Sequence, residues 1–217
     1  MVNVFRKIML LTAFLIAAFI FVAGFYSGIL LDSYRVSDTK VMIDDTSLDA
    51  ESFVVEREFF DTFSVSDCNV LNAREVLLGE QLGEIGRALA RYDSKKVSNF
   101  GEYHNLKRKY FLLEIKSYTL RKTTNEFCPD IKSNVVLFFY NTENNQESLN
   151  QGYALDTLVK EDGNITVLSI DKDFNDSALL SIVAYYNITI APTIIINFDK
   201  KFDRYTPAWE MRENLNN

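Results

Sequence analysis

The sequence has few of the residues from which most catalytic and metal sites are built. Its 217 residues include two cysteines, one histidine and eight glycines. Zinc sites draw mainly on cysteine and histidine, and Cys68, Cys128 and His104 are too few to complete one. The glycines form no phosphate-binding loop, and neither a G-x-S-x-G nor an H-E-x-x-H motif occurs. We therefore predict no catalytic residue, no metal site and no small-molecule cofactor.

Positive charge is also scarce relative to negative charge. The chain has 23 Lys and Arg against 30 Asp and Glu, a formal net charge of −7. Proteins that bind nucleic acid present basic surfaces to the phosphates, so this balance argues against nucleic acid as a partner. It also gives no reason to expect adhesion to anionic lipid headgroups.

One long apolar segment lies near the N-terminus. No charged residue occurs from Ile8 to Leu31, which as a helix measures about 36 Å against a bilayer core of roughly 30 Å. A cleaved signal peptide is the alternative, but its apolar core is usually shorter and ends at a small-x-small motif. We therefore predict one membrane anchor over residues 8–31, with the lipid bilayer as its partner.

The charges that flank this segment predict its orientation. Arg6 and Lys7 precede it, whereas aspartates dominate the residues that follow, from Asp32 to Asp45. Basic residues favour the cytoplasmic side of a membrane. This predicts a single-pass protein of the cell membrane, with a cytoplasmic N-terminus and a C-terminal domain outside.

The two cysteines flank a pair of predicted helices. Apolar residues recur at intervals of three and four in both helices, which are marked by Leu78, Leu82, Ile85, Leu89 and Tyr92 and by Tyr103, Leu106, Tyr110, Leu113 and Leu120. The short polar connector, residues 93–101, favours an antiparallel hairpin, which places Cys68 beside Cys128. A structural disulfide is the favoured interpretation outside the cytoplasm. Two free buried thiols and a redox-active pair are the alternatives.

Three runs of β-branched or aromatic residues follow, at Val135 to Tyr140, Ile165 to Asp171 and Thr193 to Ile196. These predict strands, and the stretches between them have the length of helices. Pro192 must begin the third strand because it cannot donate a hydrogen bond within a ladder. A turn at residues 199–201 and a short C-terminal helix complete the pattern.

This order of elements, with Ala191-Pro192-Thr193 before an aliphatic strand, resembles the thioredoxin fold over roughly residues 133–205. In that family the peptide bond before the proline is cis and faces the active-site dithiol. Here the dithiol position falls on Asn144 to Glu147, so Asn144 and Glu147 stand where the family has cysteines. The chain is similar to membrane-anchored thioredoxin-like proteins of archaea, several of which have Gln-Gly after the dithiol, as Gln151-Gly152 here.

The resemblance also implies a binding groove. In the family, an extended peptide pairs with the main chain beside the cis-proline. Carried over to this chain, the groove is lined by Ile190, Ala191, Pro192 and Thr193. Residues 141–146 form its opposite wall.

The predicted fold class is α/β, with a thioredoxin-like C-terminal domain preceded by a helical hairpin and an N-terminal transmembrane helix. Residues 1–31 form the cytoplasmic tip and anchor, and residues 32–66 form an acidic tether. Residues 67–130 form the hairpin closed by the two cysteines. Residues 131–217 form the thioredoxin-like domain.

Three functions are compatible with this organisation. The leading hypothesis is a non-catalytic extracytoplasmic module that binds another protein or an extended peptide, or serves as a scaffold. The second is a thiol–disulfide oxidoreductase or redox sensor using Cys68 and Cys128, although reactive thiols of this fold precede a helix and Cys128 follows one. The third is a structural subunit of a membrane complex. Sequons at Asn164, Asn175 and Asn187 are candidate glycosylation sites.

Overall fold

The computed structural model describes residues 9–28, 67–95, 100–142 and 145–215. Helix α1, Met9–Gly28, is by length and composition the one described helix that could cross a membrane. An apolar helix therefore lies where the anchor is predicted, and the predicted tether lies outside the described residues. The chain divides into two compact units, Met1–Phe63 and Ser64–Asn217.

The second unit begins with two long helices, α2 (Cys68–Lys95) and α3 (Phe100–Phe127). The residues of the predicted stripes are buried or half-buried, and Ile85 and Leu106 are among the fully buried ones. Gly86 faces the ring of Tyr110, where a Cβ would lie 3.6 Å from the nearest ring carbon, so α2 approaches α3 closely. Cys68 is the first residue of α2, whereas the prediction placed it just before the helix, so α2 starts one residue earlier than predicted.

Four strands form the sheet: β1 (Asn134–Tyr140), β2 (Ile165–Asp171), β3 (Thr193–Ile196) and β4 (Lys200–Phe202). Their order is β2-β1-β3-β4, with β2 parallel to β1 and the other two pairs antiparallel. The central strand, β1, is buried on both sides, as its unbroken apolar run requires. The three predicted strands are confirmed, and β1 begins one residue earlier than predicted.

Three further helices follow the strands: α4 (Gln146–Glu161) after β1, α5 (Ser177–Tyr185) after β2 and α6 (Ala208–Leu215) after β4. A 3-10 helix at Pro129–Ile131 connects α3 to β1. The short C-terminal helix is confirmed, since α6 has only 8 residues. The predicted succession of strand, helix, strand, helix and strand is thus the observed one, but the turn after β3 covers residues 197–199 and not 199–201, because Lys200 and Lys201 belong to β4.

Alternate residues of the strands face opposite sides of the sheet, and each side has its own core. On one side Val136, Phe138, Ile194 and Ile196 pack against Leu155 and Leu158 of α4 and Met211 and Leu215 of α6. On the other side Val135, Leu137, Phe139 and Ile195 pack with Leu179 of α5 and with Phe111 and Tyr118 of α3. Helix α3 therefore belongs both to the hairpin and to the core under the sheet. The boundary predicted at residue 130, between the helical hairpin and the thioredoxin-like domain, stays a prediction, because both parts belong to the one compact unit Ser64–Asn217.

The β3–β4 turn brings the sheet into contact with α3. Asn197 and Phe198 both have positive φ, 49° and 70°. Asparagine tolerates this conformation, and the Asn197 carboxamide oxygen accepts a hydrogen bond from the Val135 N–H (3.0 Å). A phenylalanine is unusual there, and the Phe198 ring packs on Tyr118 of α3 with ring centroids 4.8 Å apart. The contact with α3 offsets an unfavourable backbone conformation in the turn.

Candidate functional site

Cys68 and Cys128 form a disulfide, with their Cα atoms 5.7 Å apart and 60 residues between them in sequence. The predicted pairing is therefore confirmed. The Cys128 side chain is buried, and the segment after it is held to the end of α3, where Asn125 exchanges two hydrogen bonds with the main chain of Ser133. This disulfide lies toward the start of β1.

Pro192 lies at the other end of β1. The antiparallel register pairs Phe139, near the end of β1, with Thr193, the first residue of β3. Six residue steps along β1 correspond to roughly 20 Å. The disulfide and the proline loop are thus at opposite ends of the central strand.

The start of α4 forms one side of the candidate groove. Asn145 is the N-cap, and its side-chain oxygen accepts a hydrogen bond from the Ser148 N–H (3.0 Å). Glu147 is exposed in the first turn, where a negative charge is favoured by the helix dipole. Asn144, the other position assigned to a family cysteine, lies outside the described residues.

The loop before β3 forms the other side. The Ala191-Pro192 peptide bond is cis, as the resemblance implied. The Ile190 side chain is 49% exposed, whereas Pro192 and Thr193 are buried. The Thr193 hydroxyl lies 2.9 Å from both the Ile190 carbonyl and the Asp203 carboxylate, and its single proton can serve one of them at a time. Of the four residues predicted to line the groove, Ile190 and Ala191 are the ones accessible to a partner.

One hydrogen bond crosses from one side to the other. The Asn145 side-chain nitrogen donates to the carbonyl of Ala191 over 2.9 Å. Asn145 therefore uses both ends of its carboxamide, one within α4 and one on the proline loop. Sequence reasoning included position 145 only as part of a wall, because nothing in the local pattern shows a contact 46 residues away.

A third segment, Asp203 to Thr206, lies beside these two and was not predicted. Gln151 of α4 is completely buried, and it donates to the Thr206 carbonyl (3.1 Å) and accepts from the Thr206 N–H (2.7 Å). This pairing fixes the segment against α4 and leaves the neighbouring Tyr205 side chain 41% exposed. The signal in the sequence was Gln151 at a position where the helix pattern calls for an apolar residue.

Two carboxyl groups with shifted pKa values, Glu114 and Asp176, connect α3 to β2 and to the start of α5, and neither lines the groove. Burial raises the pKa of Glu114 to about 8, even though the Ser169 N–H and the Tyr110 hydroxyl both bond to the carboxyl group and lower it. Burial would also raise the pKa of Asp176, but hydrogen bonds from Arg108 and the Ala178 N–H hold it below its usual value. Within the described part of the chain, no three His, Cys, Asp or Glu side chains come together to hold a metal ion.

The three sequon asparagines are exposed. Asn187 is the one nearest the groove, three positions before Ile190, and it has a positive φ of 48°. Its carbonyl accepts a hydrogen bond from the Lys201 ammonium group (2.9 Å). Glycosylation at Asn164, Asn175 and Asn187 stays a prediction.

The strand order, the helices on both faces and the cis-proline before β3 define the class of this protein as α/β with a thioredoxin-like fold. Solved structures similar to the chain include chloroplastic thioredoxin z, at 22% identity and TM-score 0.33, covering 39% of this chain and 76% of that one. A second is thioredoxin-2, a component of malaria parasite protein secretion machinery, at 22% identity and TM-score 0.34, covering 39% and 82%. A third is Fasciola hepatica thioredoxin, at 18% identity and TM-score 0.33, covering 43% and 89%.

No protein-family model and no curated protein matches the chain.

Proposed function

We propose that this chain is a membrane-anchored, non-catalytic module that binds an extended segment of another protein outside the cytoplasm. The observation that supports this function best is that the main chain just before β3 pairs with no other described strand. The pairing of β1 with β3 ends at Phe139 and Thr193, so Ile190 and Ala191 continue past the edge of the ladder. Among the described residues, the N–H of Ala191 has no hydrogen-bond acceptor.

Such a main chain is suited to pairing with an added strand, in which backbone hydrogen bonds supply affinity and side chains supply specificity. Ile190 and Tyr205 offer half-exposed apolar surface on two of the three segments that meet here. An extended segment with apolar side chains at alternate positions is the partner that fits this arrangement, because alternate residues of a strand face the same side.

Binding is favoured over thiol chemistry by the positions of the sulfur atoms. Neither cysteine lies at the start of α4, and the disulfide lies toward the opposite end of β1. A structural role for this disulfide fits an oxidising compartment outside the cytoplasm. The apolar helix α1 and the basic residues before it support the same location.

Site-specific photo-crosslinking in native membranes tests the proposal. A crosslinking amino acid at Thr189, in the full-length chain, should capture a protein partner that is lost in an Ile190→Asp, Tyr205→Asp double variant. The matched control carries the same charge changes on α4 and α5, at Val159 and Tyr185, which are both exposed and lie near the C-terminal ends of these helices. This control should retain the partner.

Crosslinks that persist in the double variant would refute the groove. If a multi-spanning partner also co-purified unchanged, a structural subunit of a membrane complex would replace the proposed function. The redox alternative makes a different prediction, since the purified protein would then catalyse the reduction of insulin by added dithiothreitol, with Cys68 and Cys128 cycling between disulfide and dithiol. We expect no such activity.

A further inference from the structure

The contact between Asn145 and Ala191 bears on how the proposed groove is used. In an antiparallel strand pair, a hydrogen-bonded residue offers both its N–H and its carbonyl to the same neighbour. At Ala191 the N–H has no acceptor among the described residues, but the carbonyl already accepts from Asn145. Half of the pairing position is therefore occupied by the protein's own side chain.

We propose that Asn145 acts as a latch, holding the groove closed on its acceptor side until an extended peptide displaces its amide from the Ala191 carbonyl. This inference rests on the proposed function. The peptide N–H would take over the carbonyl, and the Asn145 amide would turn to water while its oxygen still accepts from Ser148. A bound peptide therefore first replaces the hydrogen bond from Asn145 to the Ala191 carbonyl with one of its own. Its net gain in affinity has to come from its other contacts.

The geometry of Asn145 explains why this residue type suits both tasks. Its oxygen caps α4 and its nitrogen reaches the opposite loop, so one side chain supplies an acceptor and a donor at once. Aspartate at this position keeps the cap but has no proton to donate to Ala191. Serine also caps a helix well, but its hydroxyl lies too close to the main chain to reach across.

These properties allow the latch to be removed without removing the cap. Asn145→Ser should open the carbonyl of Ala191 and keep the cap of α4, so its thermal stability should fall by no more than the loss of the one hydrogen bond to Ala191. Asn145→Asp should open it as well, while adding a charge at the helix start. Asn150→Asp is the control for that charge, because Asn150 is exposed on the same helix.

The first measurement needs no ligand. In nitrogen-15 NMR spectra of the full-length protein in detergent, the side-chain amide protons of Asn145 should exchange with water more slowly than those of Asn150. Equal and fast exchange at both residues would refute the latch. The Ser148 N–H should stay protected in both Asn145 variants, which confirms that the cap survives.

The second measurement uses an immobilised array of random 12-residue peptides as the probe. The wild type should bind a subset of them, and Asn145→Ser should bind the same subset more tightly by roughly two- to tenfold, the effect of one neutral hydrogen bond. Wild-type binding with no gain in Asn145→Ser would refute the latch and leave the groove intact. If neither the wild type nor a variant bound any peptide, the proposed function would be wrong, and so would the proposed displacement of Asn145.

Discussion

The two faces of the sheet are covered in different ways. Helices α4 and α6 cover one face with apolar side chains such as Leu155, Leu158 and Met211, and the buried polar residues of α4, Ser148 and Gln151, are neutral. On the opposite face, α5 and α3 add charged and phenolic groups to an aromatic core. Lys107 of α3 pairs with the buried Asp171 over 2.8 Å, and the Tyr118 and Tyr186 hydroxyl groups lie 2.5 Å apart.

This difference follows from how each helix reaches the sheet. Helices α4 and α6 follow strands directly, so short connections place them, and their apolar packing is supplemented by the neutral hydrogen bonds between Gln151 and Thr206. Helix α3 arrives from an upstream hairpin, and apolar contact alone would allow it to slide or rotate on the sheet. Directional contacts fix its position, because hydrogen bonds and ion pairs depend on geometry in a way that apolar burial does not.

Glu114 is the clearest of these directional contacts. Glu114 is only 2% exposed, and its carboxyl group accepts a hydrogen bond from the Ser169 N–H (2.8 Å) on the outer edge of β2. An edge strand otherwise presents unpaired N–H and carbonyl groups that can pair with another chain. The same contact therefore positions α3 and occupies part of a free strand edge.

The largest expected effect is the pH dependence that Glu114 gives to the face covered by α3. Its pKa is about 8 in the folded protein against 4.5 as the ordinary value, so the folded state favours the protonated form. The stabilising contribution is therefore fully present below about pH 4.5 and is lost as the pH rises through 8. Glu114→Gln imitates the protonated acid and should remove this loss. At pH 8.5 the variant should exceed the wild type by an amount on the order of 4 kcal/mol, with near equality at pH 4.5.

Urea unfolding of both proteins at several pH values measures this difference directly. Comparing the two proteins cancels the contributions of groups such as Asp176, which change equally in both. A difference that stayed constant from pH 4.5 to 8.5 would mean that Glu114 is ionised throughout in the folded state. The contact between Glu114 and the sheet would then add no pH dependence to the stability of the protein.

The next largest effect is expected from removing the disulfide, which closes the hairpin that contains α3. Closing a loop between residues separated by 60 positions stabilises a protein by about 4 kcal/mol on the chain-entropy account. A Cys68→Ala, Cys128→Ala variant should lose up to that amount in urea unfolding. Wild-type protein unfolded in reductant serves as the control and should give a similar value. A loss below about 1 kcal/mol would show that contacts with the sheet hold the hairpin almost unaided.

On the face covered by α4 and α6, shortening one buried side chain should cause the largest loss of stability. Leu158 is completely buried between α4 and the sheet, and Leu158→Ala should destabilise the protein by about 3 kcal/mol at all pH values. Leu149→Ala, at an exposed position of the same helix, should change stability by no more than about 0.5 kcal/mol. A destabilisation by Leu158→Ala that varied with pH would contradict this distinction between the two faces of the sheet.

Much of this architecture could be predicted from the sequence because the signals are local. The strands are continuous runs of β-branched and aromatic residues, and Ile165–Asp171 matches its predicted limits. The apolar intervals in α2 and α3 predicted a hairpin, and the hairpin predicted the disulfide. The cis bond before Pro192 followed from the resemblance alone.

The second buried face of α3 was not predicted, although a signal was present. Phe111, Glu114 and Tyr118 are spaced at three and four residues, as a buried stripe is. A glutamate in the middle of that stripe disguises it, since ionisable residues seldom lie in a core. The stripe can be recognised only once Ser169 and Tyr110 are known to satisfy the carboxyl group.

The amide side chains around the groove were missed for a related reason. Asn145 and Gln151 each bond to main-chain groups more than 40 residues away, at Ala191 and Thr206. Composition and periodicity report on which face of a helix is apolar, and they contain no information about such distant partners. The candidate groove was therefore predicted from the resemblance and stays a prediction, and the Asn145–Ala191 hydrogen bond across it was missed.

The smallest expected effect tests whether the phenolic contacts share in holding α3. Tyr118→Phe removes the hydroxyl group that lies 2.5 Å from that of Tyr186, and it leaves the ring packing on Phe198 in place. Tyr186 can still donate to the Phe198 carbonyl over 3.2 Å, so no buried donor is orphaned. The free energy of unfolding should fall by about 1 kcal/mol, the usual net value of one neutral hydrogen bond. Combined with Glu114→Gln at pH 8.5, the two effects should add if each contact fixes α3 independently. A double variant that departs from additivity by more than about 0.5 kcal/mol would show instead that α3 responds as one rigid element, with the hydroxyl pair and the carboxyl group reporting the same displacement.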